Sequence, residues 1–489
     1  MVTRDRCSNR MKFLGIRICD HDSNISYSVG SKVKYFKSER HLQIKHHGYK
    51  SSNDWINDVS HWNIDYDNLD GVCISADIQN REKILKDLEF IKCEKHFVDH
   101  HYAHVLSCWP IIDNTDIDFV FDGFGDEEKI HSLFKKADLL EDIKNDYSSL
   151  GNILIELGKN INLQGMGLDM AGKLMALQSL GKNNEKYIDY AKNLDIKSLK
   201  EVWWPDKWNE ITNNENHINY LKTAHYITEQ IYLKYFKSKA YMNDKISYSG
   251  GIAQNIVINT ILKNYFPNLS IPPHCADEGL SLGCIEYLRR MNNQLPFDTT
   301  GYPYWQDDII EEKPTKQTVD TIADFLNRGK IVGWMQGRGE IGPRALGNRS
   351  ILFRPDIEGG KDRINQIKKR ETFRPFGCTI LDKHADNYFQ MVEDYYMLYT
   401  STLKEPDRFP AISHTDNTSR VQKLSNSDNR MFYDLLYQFY QKSGLPLLGN
   451  TSLNLNGKPI CSNKNDALQL LNKTNLDVLC VGNEIFLKN

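Results

Sequence analysis

The chain lacks the features that mark several specialised classes of protein. No apolar run reaches about 18 residues, so we expect no transmembrane helix and no membrane partner. Residues 1–10 contain no apolar signal core, and the ten cysteines form neither a CxxC pair nor a dense framework, which favours reduced thiols in a cytoplasm. Lys and Arg number 61 against 64 Asp and Glu, and this balance excludes a histone-like binder of nucleic acid phosphates.

The sequence does contain enough apolar material for sizeable cores. Hydrophobic residues make up 40% of the 489 positions and aromatic residues 11%, which excludes a disordered chain. At roughly 100–200 residues per domain, the length predicts two to four compact units. The net charge of −3 still allows a local basic cleft.

A repeated order of strand, acidic turn and strand predicts a duplicated α/β unit in the N-terminal part. The two copies are Lys12–Ile18 with Ile25–Val29 and Lys32–Phe36, and Phe119–Phe121 with Ile130–Phe134, with turns at 19–23 and 122–126. This layout resembles the actin-like and sugar-kinase-like nucleotide-binding fold, in which two halves close on a central cleft. We therefore expect an α/β protein with a duplicated N-terminal domain.

A segment rich in Pro and Gly predicts the boundary between two domains. We expect a first domain at 11–295, a linker at 296–315 and a second α/β domain at 316–489. Thr318–Asn327 has the pattern of a helix and Lys330–Met335 that of a strand, so the second domain begins directly after the linker.

Two histidines and two carboxylates are candidates for a metal site. His100 and His104 are four residues apart, so on a helix their imidazoles share one face. Asp122 follows an apolar strand, and Asp277 precedes a predicted helix whose first residues are small. An isolated His pair is more often an exposed polar helix start, and a single Asp is more often a turn or cap residue. Together the four predict a borderline metal such as iron, manganese or zinc.

Glycine-rich segments are candidates for nucleotide binding. Gly250 and Gly251 follow a short strand and precede Asn255 at a helix start, where backbone amides approach a nucleotide closely. Lys173 beside Gly172 has the length to reach a phosphate. The alternatives are an ordinary tight turn for the glycine pair and a solvated helix lysine for Lys173.

The C-terminal part concentrates basic residues among glycines. Guanidinium groups in such a stretch suit bidentate binding of phosphate, although a solvated basic face is the common alternative. The apolar run before residue 449 leads into short polar side chains that suit a nucleotide or a helix cap. The basic residues are Arg344, Arg349, Lys368, Lys369, Arg370 and Arg374. The short polar residues are Asn450, Thr451, Ser452 and Asn454.

In this order, the segments resemble the O-carbamoyltransferase family of the nodulation, cephem-antibiotic and aminoglycoside enzymes. Two departures are Gln254, where the family usually has a small or apolar residue, and Asn417, where it usually has Gly; both bear on acceptor choice. The matching segments are His21-Asp22-Ser23, His100-His101-Tyr102-Ala103-His104, Asp122-Gly123-Phe124-Gly125, Gly250 to Asn255, Asp277-Glu278-Gly279, Gly342 to Ser350, Arg370 to Phe376, His414 to Arg420 and Asn450 to Asn454.

The resemblance implies an actin-like (ASKHA) N-terminal domain and a YrdC-like C-terminal α/β domain. It also implies a cytoplasmic enzyme that uses carbamoyl phosphate and ATP with Mg²⁺ to make carbamoyl-adenylate in the YrdC-like domain. The carbamoyl group then passes to an acceptor hydroxyl in the actin-like cleft, where a transition metal is bound. Fe²⁺ is the expected metal, with Mn²⁺ and Zn²⁺ as alternatives.

Residue roles follow from the resemblance in the same way. His21 or His101 takes the acceptor proton, and Arg374 and Lys369 act on the carbamoyl phosphate. His100, His104, Asp122 and Asp277 are implied as the metal ligands. The implied nucleotide and phosphate contacts are Lys173, Gly250, Gly251, Asn255, Arg344, Arg349, Arg370, His414, Asn450, Thr451, Ser452 and Asn454.

Two other functions and several partners remain open from the sequence. A sugar-kinase-like phosphotransferase would use the same cleft and release ADP, and a non-catalytic nucleotide-binding protein is the third alternative. The expected acceptor is a small metabolite or sugar, with 5-hydroxymethylcytosine in phage-type DNA as the alternative. The stretch Lys45 to Lys50 is either a phosphate contact or a surface loop. A homodimer is also an expectation.

Overall fold

A computed structural model describes residues 11–144, 149–161, 163, 165, 167–203, 217–390 and 393–488. The first of its four sheets contains β1 Lys12–Ile18, β2 Asn24–Val29, β3 Lys32–Lys37, β4 Gly71–Ala76 and β5 Lys95–Phe97. The second contains β6 Ile117–Phe121, β7 Lys129–Lys135, β8 Asp138–Lys144, β9 Ile246–Ser249 and β10 Leu269–Ser270.

These two sheets repeat one topology. The first has the order β3-β2-β1-β4-β5, and the second the equivalent order β8-β7-β6-β9-β10. In each copy the first three strands are antiparallel, and the central strand pairs in parallel with the fourth. The predicted α/β class and the duplication within the N-terminal domain are thus confirmed.

The strands of the C-terminal domain are β11 Val332–Met335, β12 Arg349–Phe353, β13 Gly377–Leu381, β14 Phe389–Gln390, β15 Ser401–Leu403, β16 Thr418–Ser419, β17 Val421–Leu424, β18 Leu447–Ser452, β19 Val478–Val481 and β20 Glu484–Leu487. Seven of them form a mixed sheet of order β17-β13-β18-β12-β11-β19-β20. The other three form a separate sheet of order β14-β15-β16, and in the chain they come between β13 and β17.

Helices cover the sheets of both domains. The predicted helix at Thr318–Asn327 is present with two further residues at its start, and Thr315 caps it by accepting a hydrogen bond from the Thr318 amide. In the N-terminal domain the helices are α1 Ser38–Leu42, α2 Ser52–Asp58, α3 Arg81–Asp87, α4 His100–Cys108, α5 Leu150–Asn160, α6 Met170–Leu177, α7 Glu185–Ala191, α8 Leu199–Trp203, α9 His217–Lys239, α10 Ile256–Tyr265 and α11 Leu280–Met291. In the C-terminal domain they are α12 Lys316–Asn327, α13 Gly360–Lys368, α14 Ala385–Tyr388, α15 Arg430–Ser443 and α16 Lys464–Lys473.

Helices α4 and α11 pack against each other next to the first sheet, and this packing positions the candidate metal ligands. At Gly283 in α11, an added Cβ would lie 2.1 Å from the Ala103 carbonyl oxygen in α4. Only glycine therefore permits this approach. His100 and His104 project from α4, and Asp277 lies in the turn just before α11.

The segment predicted as a linker, 296–315, connects the domains and is packed against both. The Gln306 amide oxygen accepts a hydrogen bond from the Lys37 backbone amide at 3.2 Å, and Asp308 pairs with Arg349 at 3.1 Å. Phe297 and Gln306 are buried. The segment is therefore part of the contact between the domains, and the exact boundaries of 11–295 and 316–489 stay a prediction.

None of the helices that the structure describes combines the length and the apolar character that crossing a bilayer requires.

Candidate functional site

The four candidate metal ligands lie together between the two halves of the N-terminal domain. The Nε2 atoms of His100 and His104 both lie 3.0 Å from Asp122 Oδ2, and 3.5 and 3.6 Å from Asp277 Oδ1. All four side chains are buried, and one ligand atom of each lies within 4.8 Å of the others. Helix α4 begins at His100 because Asp99 caps it by accepting from the Tyr102 amide.

The remaining carboxylate oxygens of this cluster are held by neighbouring groups. Asp277 Oδ2 pairs with Arg17 on β1 at 3.0 Å. Asp122 Oδ1 accepts from the backbone amides of Gly123 at 2.7 Å and Gly251 at 3.1 Å. One oxygen of each carboxylate is therefore fixed, and the other is turned toward the two histidines.

The electrostatics of the cluster suit a bound cation. Burial disfavours the charged forms, yet the Asp277 carboxylate raises the pKa of His100 to about 10. The two imidazoles in turn hold the pKa of Asp122 well below its usual range despite burial. A set of two imidazole nitrogens and two carboxylate oxygens fits a borderline transition metal. The residues thus fit the group that the sequence predicted.

The two histidines predicted as proton acceptors occupy different places. His21 lines the cleft, and its Nδ1 lies 3.3 Å from Asp22 Oδ2, a hydrogen bond that raises the pKa of His21. His101 is buried, its Nδ1 lies 2.7 Å from Ser132 Oγ, and burial beside His100 lowers its pKa to about 3. His101 does not line the cleft, so the geometry favours His21.

A single cavity of about 710 Å³ joins the N-terminal cleft to the C-terminal domain. Asp122 and Asp277 contribute to its wall at one end. The C-terminal side chains that line it include Arg344, Lys368, Arg370, Arg374, His414, Arg420, Asn450, Thr451, Ser452 and Asn454. The structure therefore brings the candidate metal ligands and most of the predicted phosphate contacts to one continuous space.

The C-terminal end of this cavity holds an excess of positive charge. Burial, together with the neighbouring guanidinium groups of Arg344, Arg370 and Arg374, depresses the pKa of Arg420 well below its usual value. Burial and Arg374 likewise lower the pKa of Arg370 to about 9. Burial and Arg420 lower the pKa of His414 to about 4. Cations that destabilise one another in this way favour the binding of anions.

Two predicted phosphate contacts of the C-terminal domain lie outside the cavity wall. Arg349 is fully buried, and its Nη1 donates to the carbonyl oxygens of Gln336 at 2.6 Å and Asn348 at 2.9 Å. Its Nη2 pairs with Asp308, so the guanidinium joins the linker segment to β12. Lys369 is exposed beyond the end of α13 with a φ of 51°. Its neighbour Lys368 lines the cavity. Lys368 belongs to the basic stretch of the sequence, but no specific role was predicted for it.

Lys173 and Gly250, which the sequence predicted as phosphate and nucleotide contacts, do not line the cavity, whereas Gly251 does. Lys173 is buried, and its Nζ lies 2.5 Å from Glu371 Oε1 in the C-terminal domain. Gly250 has a φ of +92°, and an added Cβ there would lie 2.0 Å from the Phe121 carbonyl oxygen. Gly251 lines the cavity while its amide holds Asp122.

Asn255 is held in a fixed orientation at the cavity wall. Its Oδ1 accepts from the amides of Val257 and Ile258, both at 3.2 Å, and so caps α10. Its Nδ2 donates to His225 Nε2 at 3.0 Å, and His225 Nδ1 lies 2.7 Å from Glu229.

Three residues of the site, His225, Glu229 and Arg420, were not predicted from the sequence as functional. Arg420 is the last residue of the matching segment His414 to Arg420, and this was the only signal that pointed to it.

Comparison with known proteins identifies relatives over most of the chain. A protein of Methanocaldococcus jannaschii is 28% identical over 527 residues, covering 96% of this chain and 99% of that protein. Nodulation protein NolO of Bradyrhizobium diazoefficiens is 33% identical over 264 residues, which is 49% of this chain and 48% of NolO. The 3'-hydroxymethylcephem-O-carbamoyltransferase of Amycolatopsis lactamdurans is 28% identical over 337 residues, 64% of each chain. The alignments to these last two therefore span less than two thirds of either protein.

Solved structures show more distant similarity. HypF of T. kodakarensis has 12% identity and a TM-score of 0.42, over 58% of this chain and 48% of its own. A variant of Sua5 from P. abyssi has 13% identity and a TM-score of 0.23, over 32% of this chain and 43% of its own.

Family models match both domains. The carbamoyltransferase N-terminus model matches residues 78–285, and the carbamoyltransferase C-terminus model matches residues 323–488. The first match contains the four candidate metal ligands, and the second contains the basic end of the cavity. Because the two models together match more than half of the chain, the protein belongs to the carbamoyltransferase family and is a transferase.

Proposed function

We propose that the protein is an ATP-dependent O-carbamoyltransferase that works in two steps at the two ends of one cavity. The observation that carries this proposal is the cavity itself, which joins a cluster of two His and two Asp to a cluster of buried cations. A phosphotransferase of the actin-like fold would have no use for the second cluster. Carbamoyl transfer through an activated intermediate uses both.

The basic end suits the first step, in which anions meet and leave. Carbamoyl phosphate is hydrolysed to carbamate and phosphate, and the carbamate oxygen attacks the α-phosphorus of ATP. Carbamoyl-adenylate forms and pyrophosphate leaves. Arg344, Arg370, Arg374, Arg420 and Lys368 supply fixed positive charge to these anions, and such preorganised donors stabilise charge that develops in a transition state.

The other end suits transfer to a hydroxyl. The acceptor oxygen attacks the carbamoyl carbon, AMP leaves, and His21 takes the hydroxyl proton while Asp22 orients its ring. We expect His100, His104, Asp122 and Asp277 to hold one transition metal, Fe²⁺ with Mn²⁺ or Zn²⁺ as alternatives. When bound, the metal supplies a Lewis acid that polarises the carbamoyl carbonyl.

We propose a hydroxyl acceptor and not an amine. An amine is nucleophilic enough to react with carbamoyl phosphate directly, whereas a hydroxyl gains more from an activated donor and a Lewis acid. Among hydroxyls we favour a small metabolite or sugar over 5-hydroxymethylcytosine in DNA, because a chain of net charge −3 supplies little general attraction for a DNA backbone.

The experiment follows both half-reactions. Arg374→Ala should abolish carbamoyl-phosphate-dependent release of pyrophosphate from ATP, whereas His100→Ala should keep this release and lose transfer. Release of ADP in place of AMP and pyrophosphate would instead identify a phosphotransferase. Equal loss of pyrophosphate release in both variants would refute the division into two sites.

The acceptor is tested by mass spectrometry with ATP, carbamoyl phosphate and a panel of alcohols. The panel contains sugars, the 5-hydroxymethylcytosine nucleoside and DNA carrying that base. We expect the mass of one carbamoyl group on oxygen. Product on amines alone would contradict the hydroxyl proposal, and product on DNA whose yield falls steeply with salt would reverse the preference for a small acceptor.

A further inference from the structure

Helix α6 forms a wall of the cavity that spans the seam between the two domains. Ala171, Gly172 and Met175 on this helix line the cavity, and Ser179 continues the same wall in the turn after it. The helix belongs to the N-terminal domain, whereas Arg370, Arg374 and Arg420, which line the same cavity, belong to the C-terminal domain. The wall must therefore be held against a separate body of the protein.

Polar contacts hold this wall at three points along its length. Asp169, just before α6, pairs with Lys45 of the first N-terminal half. Lys173 pairs with Glu371 of the C-terminal domain at 2.5 Å. Beyond the end of the helix, Thr415 Oγ1 donates to the Ser179 carbonyl oxygen at 2.8 Å. Two of the three contacts thus cross the domain seam.

The partners of α6 lie inside the anion-binding segments. Glu371 is flanked by Arg370 and Arg374, both in the cavity wall, and its Oε2 lies 3.7 Å from Arg374 Nη1. Thr415 follows His414, which also lines the cavity. In each of these two segments, a group that would bind carbamoyl phosphate or ATP therefore lies close in sequence to a group that holds α6.

The Lys173–Glu371 pair is poorly explained as a device for stability alone. The Lys173 side chain is only 3% exposed, and the cost of removing such a charge from water commonly cancels the attraction to its partner. A pair of this kind contributes more to specifying one arrangement of the two domains. Here the specified arrangement holds α6, which lines the cavity, against the segment that carries Arg370 and Arg374.

We propose that Lys173 and Glu371 are positioning residues that seal the cavity at the domain seam, so that the activated carbamoyl group does not meet water between the two steps. This inference rests on the proposed function, because it requires an intermediate that water destroys. A carbamoyl-adenylate that escapes the cavity is hydrolysed to AMP, carbon dioxide and ammonia, and the enzyme begins another turnover. A sealed cavity holds the intermediate until an acceptor arrives.

The test uses the whole protein with ATP, Mg²⁺ and carbamoyl phosphate, and no acceptor. Pyrophosphate is measured by rapid quench. We expect the unmodified protein to release about one pyrophosphate per chain in a burst and then to turn over slowly. Lys173→Met and Glu371→Gln should keep the burst and raise the slow rate about tenfold or more. Lys173→Arg should restore slow turnover, because it keeps the charge.

Matched controls separate sealing from general damage. Lys182→Met changes an exposed lysine of the same region and should leave both phases unchanged. Thr415→Val removes the hydrogen bond beyond the end of α6 and should raise the slow rate by a smaller factor, about two- to threefold. This variant tests the proposal even if the variants at Lys173 do not fold.

The other outcomes distinguish the two claims. If the unmodified protein releases no pyrophosphate with carbamoyl phosphate, the proposed function itself fails. If it shows a burst but the variants keep the slow rate, the seal is refuted and the proposed function stands. Loss of the burst in both Glu371→Gln and Lys173→Met would show that the pair orients Arg374 for the first step and would refute the sealing role. Steady release of pyrophosphate without a burst in the unmodified protein would show that the cavity is not sealed.

Discussion

Replacing Lys368 by Met should remove most of the adenylate-forming activity, whereas the same change at Lys369 should not. Lys368 Nζ donates to the Ser452 carbonyl oxygen at 2.5 Å and to Ser452 Oγ at 3.1 Å, and also contacts Asn454 Oδ1. Burial and the nearby Arg370 and Arg374 hold the pKa of Lys368 well below its usual value. The ammonium group therefore gains more from an anion in the cavity than from its present surroundings.

The size of the effect follows from the loss of one buried donor to an anion. Removing a single preorganised donor from a site of developing negative charge costs about 3–4 kcal/mol, which is about 10²- to 10³-fold in rate. The stability of the fold should change little. Ser452 Oγ and Asn454 Oδ1 remain within 2.6 Å of each other, and the loss of one charge relieves repulsion from the neighbouring guanidinium groups.

The assay compares kcat/KM for carbamoyl phosphate in pyrophosphate release, together with Tm. Lys368→Met should lose about 10²-fold or more, and Lys369→Met should stay within about twofold because its side chain is exposed beyond α13. Both should melt within a few degrees of the unmodified protein. Equal losses in the two variants, or full activity in Lys368→Met, would refute the placement of Lys368 as an anion contact.

Three further predictions test other parts of the structure. His104→Ala should contain much less transition metal than the unmodified protein when measured by inductively coupled plasma spectrometry, and equal contents would contradict the ligand assignment. Gly250→Ala should fail to fold or melt far lower, because its φ of +92° and the 2.0 Å approach of the Phe121 carbonyl exclude a Cβ; Gly444→Ala, with a similar φ and open space, is the control and should melt only slightly lower. Arg349→Met should destabilise by about 3–5 kcal/mol, because buried Asp308 loses the stronger of its two cations and keeps only Arg40. Burial already raises the pKa of Asp308 to about 6, and the loss of Arg349 should raise that pKa further. The difference in free energy of unfolding between the unmodified protein and Arg349→Met, measured with denaturant, should therefore grow as the pH rises above 6. A difference that shrinks over this pH range would contradict the prediction.

The grouping of the four candidate metal ligands was predictable because each residue carries a local signal. The spacing of His100 and His104 predicts that they share one face of a helix, and both lie on helix α4. Asp122 and Asp277 end or begin elements of an α/β fold, where side chains point toward a common cleft. Local periodicity and the strand-end rule were enough to bring the four together.

The basic residues were harder to assign because their fate depends on partners far away in the sequence. Arg349 was expected to bind phosphate, but its guanidinium is taken by Asp308, 41 positions earlier in the linker segment. Lys368 and Lys369 are neighbours of the same type, and only the left-handed residue at the end of α13 decides which one faces the cavity. Composition identifies such a stretch as basic, but it does not distinguish a basic residue that lines the cavity from one that pairs with another part of the fold.

The duplication of the N-terminal domain explains how the cluster is held before any ion is bound. The two halves place β1 and β6 at equivalent positions in their sheets, and each strand supplies a restraint on one carboxylate. Arg17 on β1 holds one oxygen of Asp277, whereas the turn after β6 and the amide of Gly251 hold one oxygen of Asp122. Each carboxylate then has a single oxygen left to face the imidazoles of α4. A site organised in this way loses little entropy when it binds a cation, because its ligands are already oriented by the fold.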